Sequence, residues 1–230
     1  MSEKENSKPH YARHRARLRE RFVKSGASSL PDYELIELLL FGAMPRRDVK
    51  PIAKELLKKF GSLGGVLDGD VKALADVEGM GEVAAINLKT VREAAVRMLG
   101  QEIMDKPVLS NWQALVDYCR IAMGGAKKEQ FRILFLNKKN TLIADELQQD
   151  GTIDHTPVYP REVIKRALDL GASALILVHN HPSGDTKPSK ADIDMTMEIQ
   201  DAGLKLGIEL HDHIIVSGKG HTSFRNEGLL

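Results

Sequence analysis

The residues with the widest chemical reach lie between positions 178 and 192. Val178-His179-Asn180-His181-Pro182 sets two histidines two positions apart, and Pro188-Ser189-Lys190-Ala191-Asp192 follows after a short loop. On an extended chain, residues i and i+2 face the same side with Cα atoms about 6.6 Å apart, so both imidazoles can converge on one cation. Pro182 ends the strand. Ser189 suits a helix N-cap, and Asp192 then falls in the first turn, where the helix dipole favours a carboxylate. The segment 182–188 (PSGDTKP) is long enough to fold the helix start back over the strand end and bring Asp192 to the histidines. Two neutral imidazoles and one carboxylate leave a fourth tetrahedral position open, the layout of a catalytic zinc site. Zinc held there would lower the pKa of a bound water to roughly 7 and polarise a carbonyl.

A zinc hydrolase also needs a general base, and Glu146 in Ile143-Ala144-Asp145-Glu146-Leu147 is the leading candidate, with Asp145 next. Strand alternation predicts Leu142, Ala144 and Glu146 on one face and Ile143, Asp145 and Leu147 on the other. A carboxylate in a covered sheet is costly without a partner or a task. The plain alternative is an exposed residue near a strand end. His211-Asp212-His213 is a second H-x-H, read as support for the first pair or as buried polar residues rather than as a metal site. His10, His14, His155 and His221 stand alone and read as surface residues. Two histidines and a carboxylate also suit a non-haem iron oxygenase, but that chemistry usually sits in an all-β jelly roll.

Composition narrows the classes. Of 230 residues, 42% are apolar and 28% charged, which excludes wholesale disorder and fibrous repeats. Aromatics make up 5%, so the core must be aliphatic. Cys119 is the single cysteine, which excludes an internal disulfide, a Cys-rich zinc finger and the C-x-x-C zinc deaminases. No apolar run nears the roughly 20 residues that span a bilayer. The opening MSEKENSKPH has no apolar region of a secretory signal. A soluble, cytoplasmic protein with no membrane partner is expected.

The elements that must carry the site alternate from residue 107 onward. Trp112 to Ile121 reads as a helix, Phe131–Leu136 as a buried strand, 137–140 as a polar turn and Thr141–Leu147 as its hairpin partner. A helix at 161–170, an unbroken aliphatic strand at Ala174–Val178, a helix at 189–206 and a strand at 208–217 complete a three-layer α/β domain, 107–230. Residues 1–104 read as all-helical. Pro31 opens a helix that Gly42 can end, and Val49, Ile52, Ala53, Leu56, Leu57 and Phe60 form one apolar stripe closed by Gly61. Leu74 and Ala75 sit on a short third helix, and Val83 to Met98 on a fourth ending near Gly100.

Charge is uneven. The chain carries a net +1, yet residues 1–30 hold eight basic and three acidic side chains, a balance of +5. Arginines at 13, 15, 17, 19 and 21 spread around a helix, either as a solvated face or as a phosphate-binding arm. Val77-Glu78-Gly79-Met80-Gly81 resembles a helix-hairpin-helix turn, whose amides can bind a DNA phosphate. Glu78 and Glu82 would repel that phosphate, and glycine also serves any tight turn. DNA through residues 1–104 is therefore one partner to test.

His179-x-His181-Pro182, then Ser189-x-x-Asp192, with a glutamate upstream, resembles the JAMM motif of the MPN metallopeptidases. The longer text Val158-Tyr159-Pro160-Arg161-Glu162-Val163, His179 to Gly184, Asp212-His213 and Gly228-Leu229-Leu230 is similar to the RadC family, over residues 10–230. The general motif favours Ser or Thr where Asn180 stands, and Asn is usual in RadC-like chains. The resemblance implies an α/β fold. It is an N-terminal helical, helix-hairpin-helix-like domain (1–104) followed by a three-layer, cytidine-deaminase-like MPN/JAMM domain with a mixed sheet (107–230). It implies Zn²⁺ on His179, His181 and Asp192, with Glu146 as general base and Ser189 as oxyanion donor or helix cap. The reaction it implies is hydrolysis of an amide or isopeptide bond in a protein or peptide. The rival readings are a DNA-repair-associated module with a structural zinc domain and a zinc-dependent nuclease.

Overall fold

The computed structural model describes residues 10–104, 106–150 and 158–230. Glu3, Lys4, Glu5 and Lys8 of the charge count, and His155, lie outside the described residues. The chain divides into two compact units, one ending at Ala94 and one beginning at Ala95.

Helices α1 (His10–Ser25), α2 (Asp32–Ala43), α3 (Lys50–Phe60), α4 (Leu63–Asp68) and α5 (Val71–Ala75), with the start of α6 (Glu82–Met104), build the first unit. The expected stripe of α3 buries Val49, Ile52, Ala53 and Leu56 beside Ile36, Leu40 and Leu88. Gly61, at φ 83°, ends that helix with its N–H on the Leu57 carbonyl. The short α4 is absent from the sequence reading; Ser62 caps it by accepting from Gly65 N–H.

The row of arginines on α1 does not behave uniformly. Arg15 is buried, and its guanidinium donates to the carbonyls of Phe41, Met44, Pro45 and Arg47 while lying 4.4 Å from the Phe41 ring centroid. A cation there meets the unpaired carbonyls at the C-terminus of α2, which both carry partial negative charge and need donors. His14, expected alone at the surface, pairs at 2.7 Å with the buried Glu37. In the glycine turn Arg47 donates to the Gly79 carbonyl at 2.9 Å, and a Cβ at Gly79 would lie 2.9 Å from the Arg47 guanidinium. Glycine has a packing reason there besides its φ of 84°.

The division between units precedes the expected 104–107 break. It lies inside α6, because Val96, Leu99 and Ile103 join the core of the second unit. The helix passes through Gly100, whose missing side chain admits the Tyr118 ring at 3.3 Å from a built Cβ.

The second unit holds α7 (Trp112–Met123), β1 (Gln130–Leu136), β2 (Leu142–Asp150), α8 (Pro160–Asp169), β3 (Ala174–Asn180), α9 (Lys190–Leu204), β4 (Glu209–Val216) and β5 (His221–Ser223). Among the described residues these strands form one mixed five-stranded sheet, ordered β2-β1-β3-β4-β5. The pair β3–β4 is parallel, joined by α9 as crossover, and the other pairs are antiparallel. Leu134, Leu136, Ile176, Val178, Ile214 and Val216 pack against α7. Ile133, Phe135, Leu175 and Leu177 pack against α8 and α9 on the opposite face. This is the expected three-layer α/β arrangement, and β3, buried at every position, is its centre.

Register shifts in β2 and β4 break the alternation of faces. In β2 the partners of Phe135 and Leu136 are Ala144 and Leu142, leaving Ile143 as an extra residue. Leu142 therefore joins the α7-side core, whereas Ala144 packs on the α8 side, contrary to the shared face expected for them. In β4 the partners of Leu175 and Ile176 are Leu210 and Asp212, so His211 is the extra residue.

Candidate metal centre

The parallel strand β3 ends where α9 begins, and the loop between them closes the gap. His179 is the penultimate residue of β3 and His181 follows its end. The α9 start is fixed by a capping box: Ser189 Oγ accepts from Asp192 N–H at 3.1 Å, and Ser189 N–H donates to Asp192 Oδ2 at 2.7 Å. That exchange holds the Asp192 carboxylate toward the strand end. His179 Nε2 lies 3.4 Å from Asp192 Oδ1, His181 Nε2 lies 3.7 Å from Oδ2, and the two Nε2 atoms are 2.9 Å apart. The structure thus brings together His179, His181 and Asp192, as expected, and places Ser189 beside them on the cap.

Glu129 is the fourth member, which the sequence reading missed. One ligand atom each from Glu129, His179, His181 and Asp192 lie within 4.8 Å of one another. Phe131 pairs with His179 across the antiparallel β1–β3 ladder, so Glu129, two residues earlier, falls at the level of His181. Asn180, which points away from both histidines, secures this arrangement. Its Oδ1 accepts from Gln130 N–H at 2.7 Å, and its Nδ2 donates to the carbonyls of Lys128 at 3.0 Å and Ala126 at 3.3 Å. These bonds fasten the backbone on both sides of Glu129, and an amide supplies both the acceptor and the donor they need.

Glu146 is not at this centre. It faces the α8 side of β2, level with Leu177, two strands from β3; two strand spacings are about 10 Å. Arg166 of α8 binds its carboxylate through Nε at 3.0 Å and Nη2 at 2.5 Å. The Arg166 bond holds the Glu146 carboxyl below the usual carboxylate range, the wrong direction for a base working near neutral pH. Asp145, the reserve candidate, is engaged on the other face by the Tyr118 hydroxyl and, at 2.7 Å, by Arg132 Nη1. Burial, and then that carboxylate, push the Tyr118 phenol up.

The donor set fits a cation. His181 Nδ1 lies 2.7 Å from the Asp185 carbonyl, which only accepts, so Nδ1 carries a proton and Nε2 is the nitrogen turned to the centre. His179 turns its Nδ1 to His213 Nε2 at 2.7 Å and its Nε2 inward. Burial drives the His179 imidazole down to about 4 and His213 well below its ordinary value, so both rings are neutral, the form that binds metal. Two ring nitrogens 2.9 Å apart beside a carboxylate and a nearby glutamate form an arrangement that a shared cation would stabilise.

Of the second H-x-H, only His213 reaches the first pair. The bulge at His211 turns His213 toward the α9 side, between the Phe131 ring at 5.8 Å and the Phe224 ring at 4.5 Å. Asp212 anchors the C-terminal turn by accepting from Ser223 Oγ at 2.5 Å and Arg225 N–H at 3.0 Å. His211 instead meets Asn140 Oδ1 at 2.7 Å, in the β1–β2 turn.

Comparison with known proteins finds relatives of this chain. A family model described as RadC-like JAB domain matches residues 109–229, and one described as UPF0758 N-terminal matches residues 11–86. The chain belongs to the RadC-like UPF0758 family. A UPF0758 protein of Rhodobacter capsulatus is 58% identical over 213 residues, covering 93% of this chain and all of that protein. One from Ruegeria pomeroyi is 55% identical over 223 residues, covering 96% of this chain and all of its own length. The matched JAB domain contains all four residues of the metal-capable cluster. No helix among the described residues is long and apolar enough to cross a membrane.

Proposed function

We propose that this member of the family is a metal-dependent hydrolase of JAMM type that cleaves an amide or isopeptide bond in a protein or peptide. The observation that carries the reading is the convergence of His179, His181, Asp192 and Glu129 at the open end of β3. His179, His181 and Asp192 would hold a zinc ion, the metal that this nitrogen-rich, three-ligand set suits best. Bound there, zinc would supply Lewis-acid polarisation of the carbonyl and a water acidified to near neutrality.

The remaining work belongs to side chains of this chain. Glu129 replaces Glu146 as general base: it is exposed, it adjoins the histidines, and Asn180 fastens the backbone around it. Its carboxylate takes a proton from the attacking water and passes it to the leaving amine. Ser189 already accepts a bond from Asp192 N–H, which leaves its own hydroxyl hydrogen to donate to the oxygen where negative charge develops.

The deciding experiment compares wild type, Glu129→Gln and Asp192→Asn. Purified wild type is expected to carry one zinc per chain, Glu129→Gln to keep it and Asp192→Asn to lose it. Cells carrying Glu129→Gln should accumulate uncleaved protein species that wild type removes. Equal metal content in wild type and Asp192→Asn would remove the metal centre. Identical protein profiles for wild type and Glu129→Gln would remove the hydrolase.

A further inference from the structure

Behind the metal-capable cluster runs a line of hydrogen bonds that returns to it. His179 Nδ1 meets His213 Nε2 at 2.7 Å, His213 Nδ1 meets Thr196 Oγ1 at 2.6 Å, and Thr196 Oγ1 donates to the Asp192 carbonyl at 2.5 Å. The line starts at one proposed ligand on β3, crosses β4, enters α9 and ends on the backbone of another proposed ligand. His179, Thr196 and His213 are almost fully buried.

The proton positions follow from counting. A carbonyl oxygen only accepts, so the single hydroxyl proton of Thr196 goes to Asp192 O. Thr196 Oγ1 must then accept from His213, which places the His213 proton on Nδ1. Among the described contacts, the His213 ring otherwise meets the Phe131 and Phe224 rings and the His179 imidazole, while the Asp212 carboxylate is taken up by the His213 backbone N–H at 2.7 Å rather than by the ring. With no carboxylate on either ring nitrogen, a buried imidazolium is costly, so the ring carries one proton. Its Nε2 is therefore an acceptor, and His179 must donate from Nδ1. His179 is itself almost fully buried, and with the ring neutral a proton on Nδ1 leaves Nε2 unprotonated and facing the centre.

We infer that Thr196 and His213 are positioning residues that lock His179 in the tautomer able to bind a metal, from a proton direction set by the Asp192 carbonyl. The inference deepens the metal-centre reading and rests on it for its purpose, though not for its geometry. Partners behind a ligating histidine fix its tautomer and ring orientation, and losing one typically costs 10–100-fold in metal affinity. The same line couples two ligands: the α9 turn that presents Asp192 also orients His179.

The test reads protons and affinity separately. Nitrogen NMR of metal-free, ¹⁵N-histidine-labelled wild type at neutral pH should find both His179 and His213 protonated on Nδ1. Thr196→Val, nearly isosteric, should lose that bias and bind Zn²⁺ about 10-fold more weakly in chelator competition. Thr196→Ser, which restores the hydroxyl, should recover most of the affinity. His179 protonated on Nε2 in metal-free wild type would overturn the inference, and so would wild-type zinc affinity in Thr196→Val. Should the valine variant fail to fold, the wild-type spectrum still decides. Wild type that binds no zinc would sink the metal-centre reading alone, since the tautomer is measured without metal.

Discussion

Two H-x-H pairs stand on neighbouring parallel strands, and they meet different fates. His179 and His181 lie where β3 runs out, so an unbroken alternation delivers both rings to one open edge. His211 and His213 lie inside β4, where the extra residue at 211 breaks the alternation and sends the two rings to separate partners 71 and 34 positions away in sequence. The same three-residue pattern joins one metal-capable cluster in one strand and splits between two separate hydrogen-bond partners in the next. What separates them is the continuity of the ladder and the distance to a strand end, neither of which is a property of the triplet itself.

The largest contrast to test is metal content. His181→Ala should abolish zinc binding, because its Nε2 faces the centre, whereas His211→Ala should bind zinc like wild type; elemental analysis of both proteins settles it. A drop in both would make the two pairs one site. Next come the two glutamates. Glu129→Gln should lower turnover by about 10²–10⁴-fold with metal retained, the usual contribution of a positioned base. Glu146→Gln should leave turnover within experimental scatter, since it loosens only a partly exposed pair with Arg166. The reverse result would return the base to β2.

Acid should reveal which histidines are buried as neutral rings. An unfolded histidine titrates near 6.5, whereas folded His179 does so at about 4. Below pH 6.5 the unfolded chain therefore binds a proton that the fold refuses, and stability falls until about pH 4, by roughly 3 kcal/mol for this ring. His213, shifted in the same direction, adds to the loss. Urea unfolding of metal-free protein, followed by Trp112, should show the midpoint dropping across that window. A flat profile would mean the rings are solvated. The smallest effect expected is the stability cost of His211→Ala, about 1 kcal/mol for one hydrogen bond to Asn140. A cost several times larger would show that the bulge itself depends on that side chain.

Much of the fold was legible because periodicity reports burial. The stripe of α3, the aliphatic β3 and the Ser189 cap are local patterns, and each appears where the residues predict it. Asp192 reached the histidines for the same reason: a cap, a proline-bounded loop and a strand end all act within fifteen residues. Glu146 failed because pairing is non-local. Its strand was read, but nothing in residues 142–147 says which strand lies beside β3, or that Arg166 would occupy the carboxylate. Glu129 sits among polar neighbours, and only its register opposite β3 distinguishes it from Lys127, Lys128 and Gln130. Arg15 is the helical counterpart, one of five similar arginines, and only the end of α2 singles it out.

The amino-acid order alone determined the helical first part, the alternating second part and the three residues that approach one another across a short loop, since these depend on contacts close in sequence. Tertiary structure decided which glutamate stands beside the histidines, the bulge and the Thr196–His213 line behind His179. Each of those depends on which backbone edges meet and on the count of donors and acceptors they leave to be satisfied, and that count exists only once distant strands have paired.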